Sequence, residues 1–341
     1  MGWKRENVRS SIAFSISAAV AVTGAILTLA RPRVTFAQDD RVAIEPRTAR
    51  VDTTGTANRV KTDIRVNSSL VLVPVTVTDQ QDRVILGLAR DQFRVWDDKV
   101  EQTISHFAAE DVPISIGLVF DSSGSMGPKL RMSRAAVTQF IKSANPDDEF
   151  SLVTFNDQAK MLTGFTKDPG YIQDRLMFIE SKGRTALLDG LILSMNEMKN
   201  AKHTRKAILL ISDGGDNNSR YSVREVKSRL READVQLYAI GIMEPLAGRT
   251  RTMEEMDGPL LLDEIASQTG GRLFEAADVG ELPNIATRIG AALRNQYVLG
   301  YVPSADNRDG KYHHLQVKIS KSKGLPSLRI FSRMGYYATP N

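Results

Sequence analysis

Apolar positions change their spacing twice along this chain. Up to residue 61 the pattern is not that of a packed domain: an uncharged run from Ser10 to Ala30 is followed by residues 38 to 61, where charges mix with Thr, Gly and Pro without any apolar period. From Ile64 to Asp111 the residues become β-branched and alternate with a period of two. Strands are predicted over Ser69 to Thr78, Gln92 to Trp96 and Thr103 to Phe107, with a polar turn at Asp79 to Arg83 and Pro74 marking an edge or a bulge.

From Ile114 short apolar runs alternate with amphipathic stretches of helical period. Strands are predicted at Ile114 to Phe120, Phe150 to Phe155, Lys206 to Ile211, Val235 to Ile242 and Arg272 to Glu275. Helices are predicted at Leu130 to Ser143, Tyr171 to Glu180, Leu187 to Asn200, Val223 to Ala233, Leu260 to Gln268 and Leu282 to Arg294. This alternation implies an α/β domain with a doubly wound, mostly parallel sheet and helices on both faces. Strand patterns then return at Tyr297 to Val302, His314 to Ser320 and Leu328 to Tyr337, with a turn at Asp306 to Gly310. Neither flanking β segment has enough strands for a two-sheet core alone, so the two are expected to pack into one discontinuous sandwich. The expected organisation is a leader over 1–37, a linker over 38–61, β segments over 62–111 and 297–341, and the α/β domain over 112–296.

The start of the chain adds a location. Lys4, Arg5 and Arg9 precede the uncharged run, and Thr35-Phe36-Ala37 follows it, the layout of a secretory signal cleaved after Ala37. At about 1.5 Å per residue the run would just cross a hydrocarbon core of about 30 Å, so an uncleaved membrane anchor is the alternative. Its dilution by Ser, Thr, Ala and Gly favours cleavage. Either way the remainder is expected outside the cytoplasm: periplasmic, at the cell surface or secreted.

Of the 341 residues, Lys and Arg total 45 and Asp and Glu 40, a net charge of +5. Most of that excess sits in the leader, which gives no case for nucleic acid as a partner. With no cysteine there is no disulfide framework, thiolate metal site or cysteine nucleophile. Imidazole chemistry has only His106, His203, His313 and His314 to draw on.

In open parallel sheets ligands sit beyond the carboxyl ends of the strands. Three loops there are rich in oxygen donors: Asp121-Ser122-Ser123-Gly124-Ser125, Gly183-Arg184-Thr185, and Ser212-Asp213-Gly214-Gly215-Asp216. Asp121, Ser123, Ser125, Thr185 and Asp213 form an all-oxygen set suited to Mg²⁺ or Mn²⁺. Those five positions, in this order and context, resemble the metal-ion-dependent adhesion site of a von Willebrand factor A domain, over about residues 112–296. The resemblance implies direct binding of the ion by Ser123 and Ser125, and by Thr185 in an open state, with Asp121 and Asp213 acting mostly through water. It also implies a protein ligand whose acidic side chain completes the metal shell, and a last helix whose displacement couples the metal site to the sandwich. Gly127-Pro128-Lys129 replaces the acidic pair of the integrin β pattern, so an adjacent calcium site is not implied. Gly87-Leu88, Asp91 to Val95, Gln102 to Phe107, Tyr297 to Tyr301 and Arg333 to Tyr337 resemble exported bacterial VWFA-related proteins.

Enzyme readings of the same loops lack parts. A hydrolase elbow needs Gly-x-Ser-x-Gly, but position 123 is Ser. A phosphatase with Asp121 as nucleophile needs a second Asp two residues on, where Ser123 stands and cannot protonate a leaving group. No phosphate-cradling Gly-x-x-x-x-Gly-Lys occurs. The expected function is therefore a non-enzymatic binding module, with a structural envelope protein holding a purely structural ion as alternative and a Mg²⁺-dependent phosphatase-like hydrolase behind both. Lys129, Arg131, Lys182 and Arg184 are expected near the rim of the site, and Asp216 is read as a turn residue, with support of the ion's ligands as the alternative. His313 and His314 should face opposite ways on a strand, which argues against a metal shared between them. The sequons at Asn67 and Asn217 are read as chance matches.

Overall fold

The computed structural model describes residues 70–109, 111–243, 253–303, 309–320 and 327–338. The leader, the linker and the turn at Asp306 to Arg308 lie outside them. Among the described residues no helix is long and apolar enough to cross a membrane.

The first part of the chain forms β1 (Val71–Thr78), β2 (Phe93–Asp97), β3 (Val100–Gln102) and β4 (His106–Ala108). The central part runs β5 (Ile114–Asp121), α1 (Leu130–Lys142), β6 (Glu149–Phe155), β7 (Ala159–Thr166), α2 (Pro169–Met177), α3 (Leu187–Glu197), β8 (Arg205–Ser212) and α4 (Val223–Ala233). It continues with β9 (Gln236–Ile242), α5 (Met253–Ser267), β10 (Leu273–Ala276) and α6 (Leu282–Arg294). The chain then returns to strands: β11 (Tyr297–Tyr301), β12 (Tyr312–Ile319), β13 (Arg329–Ser332) and β14 (Gly335–Tyr337).

The central sheet has the order β10-β9-β8-β5-β6-β7, parallel except for the antiparallel edge strand β7. From β5 the chain winds outward through β6 and β7, then crosses back through α3 to β8 on the other side of β5. The switch point therefore falls between β5 and β8. Both strands are apolar through their middles, Ile116 to Phe120 and Ala207 to Ile211, because each face of the sheet is covered there. On one face Phe120, Phe140 and Ile289 belong to a core that takes in α1, α2 and α6; on the other Leu191, Val226 and Ile265 anchor α3, α4 and α5. Local signals match these elements. Ser222 and Glu225 form a reciprocal capping box at the start of α4, and Asp168 caps α2 just before Pro169.

Strands from both ends of the chain interleave in two further sheets, β13-β1-β11-β4 and β14-β12-β2-β3, around Val73, Val75, Phe93, Val95, Tyr297, Leu299 and Tyr301. The α/β expectation and the flanking sandwich-like sheets are thus both present, with several local corrections. Pro74 lies in the internal strand β1, not on an edge. It is tolerated because β13 pairs only from Val75 onward, which leaves one flank of Pro74 without a ladder. The run Leu328 to Tyr337 is two strands in different sheets, parted where Arg333 bridges to Thr269. β7 and β3 are short or half-exposed strands without a clean alternation, and α5 starts well before Leu260, running through Pro259.

The sandwich is tied to the α/β domain by polar contacts. Asp82, in the loop after β1, accepts from Arg272 (2.6 Å), Arg288 (2.7 Å) and Arg329 (3.3 Å). Gln296, between α6 and β11, donates to Thr76 at 3.1 Å and Tyr238 at 3.2 Å.

Candidate functional site

The three oxygen-rich loops meet at the switch point between β5 and β8. Asp121 is the last residue of β5 and fully buried; Ser212 ends β8 and donates to Asp121 Oδ2 at 2.6 Å. Asp121 Oδ1 accepts from the Ser123 backbone N–H at 2.8 Å, which curls the loop back on the strand end. Both Asp121 oxygens are thereby engaged by the protein. The hydroxyls of Ser123 and Ser125 lie 3.1 Å apart, within hydrogen-bond distance, a pair of neutral oxygens side by side.

The second loop is locked against the first. The Gly124 N–H donates to Gly183 O at 3.0 Å, Lys182 N–H to Ser122 O at 2.9 Å, and the Ser181 hydroxyl to Ser123 O at 2.5 Å. Gly183 has φ +78°, and a Cβ there would lie 2.3 Å from an Asp157 carboxylate oxygen, so a side chain would be strained and would displace that carboxylate. That carboxylate accepts from the Arg184 N–H at 2.8 Å. Thr185 is buried and held by its backbone: its N–H donates to Asn217 Oδ1 at 3.0 Å, while its carbonyl accepts from Asn217 and Asn218.

In the third loop Gly214, at φ +94°, lies directly on Gly258 of α5, where a Cβ on either would clash with or crowd backbone. Asp213 follows β8 and is 7% exposed. Its Oδ2 accepts from Lys129 Nζ at 2.8 Å. Lys129 is therefore not at the rim: its side chain is only 10% exposed and its ammonium occupies the cation position beside Asp213. Arg131, Lys182 and Arg184 are exposed. Asp216 is more than a turn residue, since its Oδ1 accepts from Leu187 N–H at 3.0 Å, at the N-terminus of α3, and from Ser219 at 2.6 Å. Asn217, whose side chain holds Thr185, stands out in the sequence only as part of a sequon.

Electrostatics asks for positive charge here. Burial, and then the neighbouring Asp213 carboxylate, push the Asp121 carboxyl well above its usual range, against the hydrogen bonds from Ser212 and Ser123. Two buried carboxylates and adjacent hydroxyls are hard oxygen donors, and Lys129 shows that a cation is accommodated among them. The donor set fits a divalent ion such as Mg²⁺ or Mn²⁺.

Imidazole is remote from this site. His203 precedes β8, at the opposite end of the sheet, and His106, His313 and His314 belong to the sandwich. On β12 His313 is buried and His314 exposed, as alternation requires. What the sequence reading missed is that His313 meets Asp97 and Asp98 of the β2–β3 turn.

A doubly wound α/β domain with oxygen-rich loops at its switch point defines the class of fold to which the central part belongs. Residues 116–215 match the family described as the von Willebrand factor type A domain, and the chain carries a domain of that family. An uncharacterised protein of Borreliella burgdorferi is 24% identical over 184 residues, covering 48% of this chain and 54% of that protein. The minor fimbrium subunit Mfa5 of Porphyromonas gingivalis is 26% identical over 159 residues, covering 44% of this chain and 13% of the subunit. Among solved structures, a von Willebrand factor type A protein from Catenulispora acidiphila covers 78% of this chain and 75% of its own at 12% identity and a TM-score of 0.48. The chain thus spans about half the length of the first relative and a small part of the second.

Proposed function

We propose that this protein is an exported, non-enzymatic binding module that holds Mg²⁺ or Mn²⁺ through Asp121, Ser123, Ser125, Thr185 and Asp213 and uses it to bind a protein ligand. The observation that carries this reading is the pairing of the Ser123 and Ser125 hydroxyls beside two buried carboxylates at the switch point. When bound, the ion supplies a Lewis-acidic point for a carboxylate presented by the ligand. Ser123 and Ser125 bind it directly. Asp121, whose oxygens are both taken by Ser123 and Ser212, acts through water and its charge. Exposed Lys182 and Arg184 attract an acidic partner.

A binding role is supported by similarity to a fimbrium subunit. Export is supported by the leader-like start and by that same relative. The test is calorimetric titration of Mg²⁺ into the chelator-stripped full chain and its Ser123→Ala and Asp213→Ala variants. Saturable binding by the unmutated chain that both variants lose is expected. No binding by the folded unmutated chain, or equal binding by both variants, overturns the proposal.

A further inference from the structure

The sandwich carries a second cluster of metal-ligating groups, remote from the three loops. Asp97 ends β2, and Asp98 and Lys99 form the turn to β3, both with positive φ. His313 lies on the neighbouring strand β12, whose Leu315 pairs with Asp97. One ligand atom from each of Asp97, Asp98 and His313 lies within 4.8 Å of the others.

The hydrogen bonds around the cluster divide each side chain into a used and a spare atom. Asp97 Oδ2 accepts from the Tyr301 hydroxyl at 2.9 Å and the Tyr336 hydroxyl at 3.0 Å. Asp97 Oδ1 has no hydrogen-bond partner, although the residue is fully buried, and it faces His313 Nδ1 at 3.8 Å. Asp98 Oδ1 accepts from the His314 N–H at 2.9 Å, while Oδ2 lies 2.8 Å from His313 Nδ1. The far ring nitrogen, His313 Nε2, is 3.0 Å from Asp309 Oδ1.

A proton on Nδ1 reaches Asp98 but leaves Asp97 Oδ1 unsatisfied in a buried setting, which is costly. A divalent ion placed among the three would give Asp97 Oδ1 the partner it lacks. Ion-to-ligand distances of about 2.0 to 2.2 Å imply ligand-to-ligand edges of about 3.3 Å, and the 2.8 and 3.8 Å separations here straddle that value. Two carboxylates also balance the charge of a dication with a neutral imidazole. The outer groups match what metal-bound side chains require: a carboxylate on the second ring nitrogen, and donors on each non-ligating carboxylate oxygen.

We propose that Asp97 Oδ1, Asp98 Oδ2 and His313 Nδ1 bind a divalent transition-metal ion of the Zn²⁺ type, with water completing the shell. The imidazole distinguishes this site from the all-oxygen site, which suits Mg²⁺. The ion clamps the β2–β3 turn to β12, joining the two chain segments that build the sandwich.

The test is titration of Zn²⁺, with Co²⁺ as spectroscopic probe, into the chelator-stripped full chain and its Asp98→Asn, His313→Gln, His314→Gln and Asp213→Ala variants. Asp98→Asn retains the acceptor for the His314 N–H and keeps the fold testable. One equivalent of Zn²⁺ is expected, raising the melting temperature and displacing Co²⁺ whose visible spectrum is tetrahedral. Binding should weaken at least tenfold in Asp98→Asn and His313→Gln and persist in His314→Gln and Asp213→Ala. Failure of the unmutated chain to take up Zn²⁺, or uptake unchanged in folded Asp98→Asn, overturns the proposal. Because Asp213→Ala removes only the loop site, the outcome is separate from that of the Mg²⁺ reading.

Discussion

Replacing Lys129 by Met removes a charge while keeping most of the length of a side chain buried beside Asp213. In the structure Nζ stands 2.8 Å from Asp213 Oδ2, with the two side chains 10% and 7% exposed. Two unit charges at that distance attract by about 6 kcal/mol at an effective dielectric constant of about 20, and desolvation offsets part of this. Removing one partner of a buried pair costs about 3 to 5 kcal/mol, because the other charge stays behind uncompensated. Metal-free Lys129→Met should therefore melt about 5 to 10 °C lower than the parent. A divalent ion arriving at Asp213 meets an ammonium in the parent but an uncompensated carboxylate in the variant. If about 2 kcal/mol of the lost pairing reappears in ion binding, Mg²⁺ binds about 30-fold tighter and restores most of the melting temperature. Calorimetry for affinity and thermal melts with and without Mg²⁺ read both effects. A folded Lys129→Met that binds Mg²⁺ no more tightly than the parent would refute the reasoning.

Four more outcomes follow from the contacts described. Asp82→Asn breaks the link from β1 to Arg272, Arg288 and Arg329, and chemical denaturation should report a loss of about 1 to 2 kcal/mol, since two of the arginines are well exposed. Burial pushes Asp82 up, but the Arg272 hydrogen bond and the three positive charges outweigh it and leave its pKa below the ordinary 3.8. Its contribution is thus complete above pH 3.8 and lost as pH falls through the lower folded-state value, so acid titration of Asp82→Asn should lack that part of the parent's stability loss. Gly183→Ala should push the second loop off Asp157 and weaken Mg²⁺ binding about tenfold or more while moving the melting temperature little, and unchanged affinity would count against a role for that loop. A Cβ built on Gly290 of α6 lies 3.4 Å from the Ser143 Cβ, near disulfide geometry, so Ser143→Cys with Gly290→Cys pins α6 to the end of α1. Mg²⁺ affinity should differ between the oxidised and reduced forms if α6 is coupled to the site; equal affinities would deny the coupling.

The central domain was legible because its strands are covered on both faces and read as apolar runs, as in Ile116 to Phe120, with donor-rich loops directly after them. Elements without that signature were harder to see. β7 is a partly exposed edge strand, and β3 is only three residues long and largely exposed. The break between β13 and β14 arises from sheet exchange, which no period reports. At the candidate site the loops were identifiable from their residue order, but Lys129 was not, because a lysine after a turn carries no mark of the carboxylate it will meet. The Asp97, Asp98 and His313 cluster was invisible for a related reason. Asp98 and His313 stand 215 positions apart, and only the pairing of β2 with β12 brings them together.

The interleaved sandwich also decides where mechanical load travels. β1 and β14, the first and last described strands, belong to its two sheets, while the α/β domain is inserted between β4 and β11. Tension entering at β1 and leaving after β14 runs through the ladders that join β1 to β11 and β13, and through the packing of one sheet on the other. The domain with the three oxygen-rich loops is not in series with that path. It is joined to it sideways, by the bridge from Arg333 to Thr269 at the β13–β14 junction and by the Asp82 ion pairs, so a pull on the chain would strain those contacts before it strained the loops.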